Sequence, residues 1–360
     1  MRTLATAGGG LLILTVLWDA FETIVLPRRV SRRFRLTRLF YLATWSPWRS
    51  LGLRRRAGNP RENFLSIFGP LSLLLLLVTW ALALVFGFAL LHWGLGTRLM
   101  MPRGLTGFPA DLYFSGTTLV TLGLGDISPS TPSARVLTFV ESGTGFGFLA
   151  LVVGYLPTLS QAFSRRETNI ALLDARAGSP STASELIRRH AGDPDRGENL
   201  GDLLHDWDVW SADLLETHIS FPVLAYYRSQ HDNQSWVAAM TTVLDVCSLV
   251  IAGVENGPLR SARLTFAMAR HAVADMSQVF HLEPVSRSEQ RLPPGDLARL
   301  KGIMQAAGMA MKDDPETEER LRRLIAMYEP HVDALSRHLL MPLPQWVPPL
   351  GARDNWQGTA

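Results

Sequence analysis

Apolar and polar residues are grouped into long separate segments along this chain of 360 residues. Three long apolar stretches, at about 8–26, 64–93 and 134–163, are separated by polar or mixed sequence. Each is long enough for one helix to cross the roughly 30 Å hydrocarbon core of a bilayer. Residues 166 to about 340 instead show helical periodicity broken by Pro and Gly. The pattern predicts an all-α membrane protein with a helical soluble part.

A short apolar run lies between the second and third stretches. Residues 111–120, preceded by Pro109, predict a helix of about ten residues, which is too short to cross a bilayer and is therefore re-entrant. Such interrupted backbone is tolerated at membrane depth only where protein or water surrounds it. The hexamer Thr121-Leu-Gly-Leu-Gly-Asp126 follows directly. Its alternate glycines permit dihedrals that turn successive carbonyl oxygens to one side, where they can replace the water around a cation.

The order of outer helix, re-entrant helix, T-x-G-x-G-D and inner helix over residues 62–165 resembles the two-transmembrane potassium-channel family of bacteria. The resemblance implies a pore-loop fold in a homotetramer, with one selectivity filter on the shared axis. It implies that carbonyls of Thr121, Leu122, Gly123, Leu124 and Gly125 coordinate K⁺, and that Asp126, Thr118 and Glu141 support the filter. The family usually has Tyr or Phe at the position of Leu124. A weakly selective cation channel therefore stays an alternative, as does a non-conducting signalling or scaffold protein with a pore-like fold.

The inner helix carries several glycines and two further candidates for a role in gating. Gly145 resembles the family's hinge glycine in its distance from the filter, although glycines also permit close helix packing. Pro157 removes a helical hydrogen bond and is expected to kink the helix near the inner mouth. Glu141 is ionisable within an apolar helix. It is expected to hydrogen-bond pore-helix groups such as Thr117 or Thr118, or else to line the cavity.

The positive charge is concentrated between the first two spans. From Arg28 to Arg61 there are eleven Arg residues and no acidic residue. The positive-inside rule places this segment in the cytoplasm of a bacterial cell, on the inner membrane. The N-terminus and the filter then lie outside, and the C-terminal domain lies in the cytoplasm. Over Leu36–Leu53, Arg alternates with apolar and aromatic residues, which predicts an amphipathic helix on the anionic inner leaflet rather than a voltage sensor.

Two acidic residues interrupt the first span. Asp19 and Glu22 are three residues apart and share one helix face. Ionisable residues inside a membrane often mark function, so an intramembrane charge pair or a gating contact is one interpretation. The other is that Glu22 pairs with Arg28 or Arg29 at the membrane boundary.

Composition excludes several classes of function. The single Cys247 rules out an intramolecular disulfide framework and suits a reducing compartment. The net charge of +3 comes from the Arg28–Arg61 segment rather than from a soluble basic surface, so no nucleic-acid partner is predicted. No nucleophile and base occur in a recognisable context, so the chain is not predicted to be an enzyme. No cofactor is expected besides the permeating K⁺.

The sequence thus divides into five segments: an N-terminal transmembrane helix (1–27), a basic segment (28–61), a pore domain (62–165), a helical cytoplasmic domain (166–345) and an irregular tail (346–360). In the cytoplasmic domain, Val237–Val254 is apolar, but its length and Asp245 favour a buried soluble helix. A polar constellation could bind an unknown ligand, although it lacks zinc-site spacing. Its members are Glu216, His218, Tyr226, Tyr227, Arg228, His231 and Asp232.

Overall fold

The computed structural model describes residues 1–26, 35–100, 106–190, 196–231, 233–285 and 291–349. It divides into two compact units. Unit 1 comprises Met1–Ser50 and Ile67–Ser160, and unit 2 comprises Leu51–Ser66 and Gln161–Ala360. The described residues are mostly helical, which confirms the all-α prediction. The only sheet within these ranges joins two strands of two residues each.

The first part of the chain, up to residue 177, contains both strands of the sheet and six numbered helices among its described residues. They are α1 (Arg2–Ala20, continued by a π-helix over Phe21–Val25), α2 (Leu36–Leu53), α3 (Asn59–Ser66), α4 (Phe68–Leu95), β1 (Leu99–Met100), α5 (Phe108–Leu119), β2 (Ser128–Pro129) and α6 (Pro132–Ala177). The regular elements described in the second part are all helices. They are α7 (Ala183–His190), α8 (Arg196–Ser220), a 3₁₀ turn (Pro222–Tyr226), α9 (Trp236–Gly253), α10 (Leu259–Val279), α11 (Pro294–Ala306), α12 (Pro315–Ala326) and α13 (Glu329–Leu339).

Four of the described helical segments are long and apolar enough to cross a membrane: Arg2–Val25, Asn59–Leu95, Pro132–Ala177 and Trp236–Gly253. The first three contain the spans predicted from the sequence. The fourth, α9, differs because 15 of its 18 residues are buried inside unit 2. A helix covered by protein on all sides is typical of a domain core, which agrees with the expectation for this segment.

Small residues bring α1 and α4 close together in unit 1. A Cβ atom on Gly9 would lie 2.6 Å from the Gly87 carbonyl oxygen, and one on Gly94 would lie 2.4 Å from the Thr6 hydroxyl. Glycine at these positions lets the two backbones approach, as is common for helices packed in membranes. The extra N-terminal helix is therefore part of the packed helical structure of unit 1.

Two helix boundaries bear on the membrane spans. The helix break before the second span is at Ile67, and Pro70 lies in the first turn of α4. A proline costs little there because its missing N–H has no helical acceptor. The inner helix was expected to end at Phe163, but α6 continues through Pro157 to Ala177.

A buried ionic network organises the core of unit 2. The Arg291 guanidinium donates to both oxygens of the Asp245 carboxylate, which also accepts from the Tyr328 hydroxyl. Burial lowers the pKa of Arg291, but Asp245, Tyr328 and Glu329 together raise it by more, so the guanidinium stays charged. The network explains how an aspartate can lie fully buried in the middle of α9.

Candidate functional site

Helix α5, the expected pore helix, ends at Leu119, so that only Val120 separates it from the T-x-G-x-G-D hexamer. It begins after Gly107, with Pro109 in its first turn, and spans twelve residues. The predicted run of 111–120 was therefore about right in length but displaced by up to three residues. Behind the pore helix, Ala110, Phe114 and Ile127 form a small buried cluster. This cluster fixes the start of the helix against the chain that leaves the hexamer.

Every second residue of the hexamer has a left-handed backbone. The φ angles of Thr121, Gly123 and Gly125 are 57°, 53° and 78°. Glycine adopts this region freely, whereas a threonine there costs about 1–2 kcal/mol. Strain of this kind persists where surrounding structure imposes it and is common at functional sites. The left-handed φ angles thus occur at the first residue of the hexamer and at its two glycines.

The last turn of the pore helix holds the start of the hexamer. The Thr121 N–H donates to the Thr118 carbonyl at 3.0 Å, and the N–H groups of Leu122 and Gly123 donate to the Thr117 carbonyl at 2.9 and 3.4 Å. Thr118 thus contacts the hexamer through its backbone. Because these N–H groups are turned toward α5, the conformation of the hexamer depends on the position of the pore helix.

Asp126 is the last residue of the hexamer, and its carboxylate accepts two hydrogen bonds. Its Oδ1 accepts from the Ile127 N–H at 3.0 Å, and its Oδ2 accepts from the Tyr113 hydroxyl at 3.0 Å. Tyr113 lies on the pore helix, and sequence reasoning did not identify it. It gives Asp126 an aromatic hydroxyl partner at the end of the hexamer.

Glu141 lies in a fully buried polar cluster that joins three helices of unit 1. Its Oε1 accepts from the Ser115 hydroxyl of α5, and its Oε2 is 3.2 Å from His92 Nε2 of α4. His92 Nδ1 is in turn 2.9 Å from the Thr97 hydroxyl. None of Glu141, His92 and Ser115 is exposed. The pore-helix partner of Glu141 is therefore Ser115.

Glu141 hydrogen-bonds the pore helix, as one of the two expectations had it, but its partner is Ser115 rather than Thr117 or Thr118. It faces the pore helix two to three residues before those threonines. Gly145 lies one turn after Glu141 on the inner helix. It faces Leu119, which lies one turn after Ser115 on the pore helix. A Cβ atom on Gly145 would lie 1.8 Å from the Leu119 carbonyl oxygen. Gly145 therefore permits a close crossing of α6 over the end of α5.

Three of the seven members of the polar constellation in unit 2 are packed into the fold. His218 and Tyr226 are buried. Burial and the nearby Arg166 guanidinium lower the pKa of His218 to about 3, so the imidazole is neutral. Arg228 donates to the carbonyls of Leu339 and Leu340. Asp232 lies outside the described residues. Among the described residues, no group of His, Cys, Asp and Glu side chains could hold a metal ion.

Comparisons with known proteins agree with this geometry. Residues 74–161 match a protein family described as "Ion channel". A relative from Bacillus subtilis (strain 168), the uncharacterized membrane protein YdjJ, is 24% identical over 258 residues, which cover 71% of this chain and 74% of that protein. No solved structure matches the chain. The chain therefore contains an ion-channel pore domain within a membrane protein, and the match is to a channel family rather than to a family of enzymes.

Proposed function

We propose that the protein is a potassium-selective channel that conducts through Thr121–Asp126. The observation that carries the proposal is the left-handed φ at Thr121, Gly123 and Gly125, which alternates along a segment held by the pore helix. Such alternation directs successive carbonyl oxygens to one side, where they replace the hydration shell of a cation. In this proposal Leu122 and Leu124 also contribute carbonyls, while Asp126, Thr118 and Glu141 support the filter.

The proposal includes a homotetramer, because one chain supplies only a quarter of each oxygen ring. The side chains of Leu122 and Leu124 are each 59% exposed in the single chain. Large apolar side chains of the inner helix are exposed as well: Val136, Phe139, Phe146, Leu149 and Val153. Apolar surface of this extent is covered in a membrane by lipid or by other copies of the chain. Packing between copies would place the four filters on one axis.

Two alternatives remain for the pore. Leu124 lacks the aromatic ring that usually stiffens this position in the family, which favours a weakly selective cation channel. The Tyr113–Asp126 hydrogen bond favours a stiffer filter and thus potassium selectivity. A non-conducting scaffold would be free to lose the glycines of the filter, and Gly123 and Gly125 are both present.

The proposed topology places the filter at the outer face and unit 2 in the cytoplasm of a bacterium. It rests on the eleven Arg residues of Arg28–Arg61, which would also bind anionic lipids. Residues 28–34 of this segment lie outside the described ranges. Cys247 is fully buried, so an introduced cysteine can be labelled against a low background. A cysteine replacing Thr97 should react with an impermeant reagent in intact cells, and one replacing Arg54 should not.

We propose further that unit 2 controls the inner helix through Arg166, with Gly145 and Pro157 as the positions where the helix bends. Arg166 is only 2% exposed and lies on the part of α6 that belongs to unit 2. Its guanidinium donates to the carbonyls of Leu224 and Tyr227 at 2.8 and 2.9 Å. Because the buried guanidinium of Arg166 binds both carbonyls, a movement of the 3₁₀ turn can be transmitted to the inner helix.

The same stretch of unit 2 also contacts the helix that precedes the outer span. Arg228 forms an ion pair with Glu62 of α3 at 3.2 Å. Burial lowers the pKa of Arg228, and the Glu62 carboxylate opposes that shift. Residues 222–228 thus contact α6 through Arg166 and α3 through Glu62. An unknown cytoplasmic ligand that displaced this stretch would act on both membrane connections together.

Replacement of Gly123 tests the conduction pathway. At φ 53° an L-residue is strained, so Gly123→Ala should distort the filter in every copy. Potassium flux into liposomes should be lost while the assembly remains intact by size-exclusion chromatography. Gly8→Ala is a matched control, because a Cβ there meets nothing within 4 Å. Undiminished flux through Gly123→Ala would remove the filter assignment.

A further inference from the structure

His92 lies near the end of the outer helix α4, with a polar partner on each side of its ring. Its Nε2 is 3.2 Å from Glu141 Oε2, and its Nδ1 is 2.9 Å from the Thr97 hydroxyl. The ring also packs edge-on against Phe114 of the pore helix, with 5.3 Å between the ring centroids. His92 is fully buried. The orientation of its imidazole is therefore fixed by contacts on three sides.

Glu141 has a partner at each carboxyl oxygen, and His92 supplies one of them. The other partner is the Ser115 hydroxyl of the pore helix, which also bonds the Val85 carbonyl of α4 at 2.9 Å. A glutamate side chain has several rotatable bonds, so a single partner would leave its carboxyl group free to turn. With His92 on one oxygen, the other oxygen stays directed at Ser115. The imidazole therefore sets how Glu141 meets the pore helix.

The second partner of His92 belongs to the segment that contacts the chain leaving the hexamer. The Thr97 hydroxyl also lies 3.2 Å from the His92 carbonyl oxygen, to which it donates. Directly after Thr97, the Arg98 carbonyl accepts from the Ser130 N–H at 3.0 Å and from the Ser130 hydroxyl at 2.6 Å. Strand β1 then pairs with β2, the strand that follows the hexamer. The ring of His92 thus connects Glu141 with the exit of the hexamer.

These contacts form a closed path that begins and ends on the pore helix. Its members, in order, are Ser115, Glu141, His92, Thr97, the strand pair β1–β2, Asp126 and Tyr113. His92 is the member through which the outer helix joins the path. A displacement of the outer helix or of the strand pair is therefore expected to reach the pore helix through this ring.

We propose that His92 is a positioning residue for the selectivity filter, and that its Nε2 holds Glu141 against the pore helix. This inference rests on the proposed conduction through Thr121–Asp126. N–H groups of the hexamer bond the last carbonyls of the pore helix, so a shift of that helix changes the spacing of the filter oxygens. The two ring nitrogens then differ in role: Nε2 serves selectivity, whereas Nδ1 anchors Thr97. In a ring that only filled a buried polar site, loss of either nitrogen would have the same effect.

Two amide variants separate the ring nitrogens. A glutamine amide extends about as far as Nε2 and an asparagine amide about as far as Nδ1, and both amides can donate a hydrogen bond. His92→Gln should therefore keep a donor for Glu141 and lose the bond to Thr97, and His92→Asn should do the reverse. Both variants remove the ring contact with Phe114, so each is the matched control of the other.

The readout is the permeability ratio of potassium to sodium, measured from the reversal potential of the purified full chain in a planar bilayer. His92→Asn should lower this ratio by about tenfold, which corresponds to the loss of one strong hydrogen bond. His92→Gln should retain most of the selectivity. Thr79→Val, on the exposed side of α4, removes only a hydroxyl bonded to the Leu75 carbonyl and should leave the ratio unchanged. Equal ratios in the two amide variants, or a lower ratio in His92→Gln, would overturn the proposal.

Ser115→Ala decides the question if His92→Asn does not assemble. It breaks the same path on the other side of Glu141, so the permeability ratio should fall although His92 is intact. An unchanged ratio in Ser115→Ala would overturn the proposal.

Failure of this inference is distinct from failure of the proposed function. If the unmodified chain carried no selective current, the conduction proposal would fail by itself. Melting temperatures would then show whether His92 holds Glu141. His92→Asn should melt at a lower temperature than His92→Gln, because it leaves a buried carboxyl oxygen of Glu141 without its partner. Equal melting temperatures would contradict the role of Nε2.

Discussion

Replacing Gly145 with alanine should disturb the filter through the pore helix. The new Cβ would lie 1.8 Å from the Leu119 carbonyl oxygen, where real Cβ contacts are essentially never under 3.0 Å. Neither atom can move by a side-chain rotation, because Cβ and the carbonyl are both fixed to their backbones. The inner helix and the pore helix must therefore separate by more than about 1 Å. Leu119 is only two residues before Thr121, so the shift reaches the filter directly.

The energetic cost follows from two opposing terms. Overpacking a close contact costs about 1–3 kcal/mol, and the rigid geometry here favours the upper end of that range. Alanine regains about 1 kcal/mol of helix propensity relative to glycine. The net loss should be about 2 kcal/mol in each copy of the chain. It should appear as a lower melting temperature of the purified assembly together with reduced potassium current.

Gly147→Ala is the matched control on the same helix. A Cβ at Gly147 meets nothing within 4 Å in the single chain, so this variant should keep its melting temperature and current. If Gly145 acted only as a hinge, Gly145→Ala would lower the open probability without lowering the melting temperature. Equal melting temperatures and equal currents in the two variants would refute the close-contact reasoning.

Three further changes have defined outcomes. Glu141→Ala should destabilise the assembly to heat by about 2–4 kcal/mol per copy, since two buried polar partners lose their acceptor, and Glu141→Gln should cost clearly less. Unit 2 should lose about 2 kcal/mol of unfolding free energy on going from pH 7 to pH 5, because His218 binds a proton near pH 6.5 when unfolded but only near pH 3 when folded. His218→Gln should remove that part of the pH dependence measured by denaturant titration. Arg166→Ala should change the open probability in single-channel records at an unchanged permeability ratio, whereas the exposed neighbour Arg165→Ala should alter neither.

The pore region was predictable because its signals are local. The re-entrant helix follows from the length of an apolar run, and the hexamer follows from alternate glycines. The end of α6 was not predictable in the same way. The sequence Arg165-Arg166-Glu167 marks a change in polarity, but these residues are good helix formers, so the helix continues to Ala177.

The sequence did not predict which side chains of neighbouring helices contact each other. Tyr113 with Asp126, and His92 with Glu141, are pairs far apart in the chain whose meeting depends on how the helices cross and rotate. The sequence did contain a signal for His92, because a histidine within an apolar span is as unusual as Glu141 within the apolar inner helix. For Tyr113 the pore helix offered no comparable signal, because aromatic residues are common in apolar helices.

The central claim is selective potassium conduction, and the reversal potential under bi-ionic conditions tests it most directly. The purified protein is reconstituted in a planar bilayer with KCl on one side and an equal concentration of NaCl on the other. A potassium-selective filter at Thr121–Asp126 should shift the reversal potential far toward the value at which potassium alone permeates. A reversal potential near zero with measurable current would show that the two cations permeate alike, and it would contradict the claim.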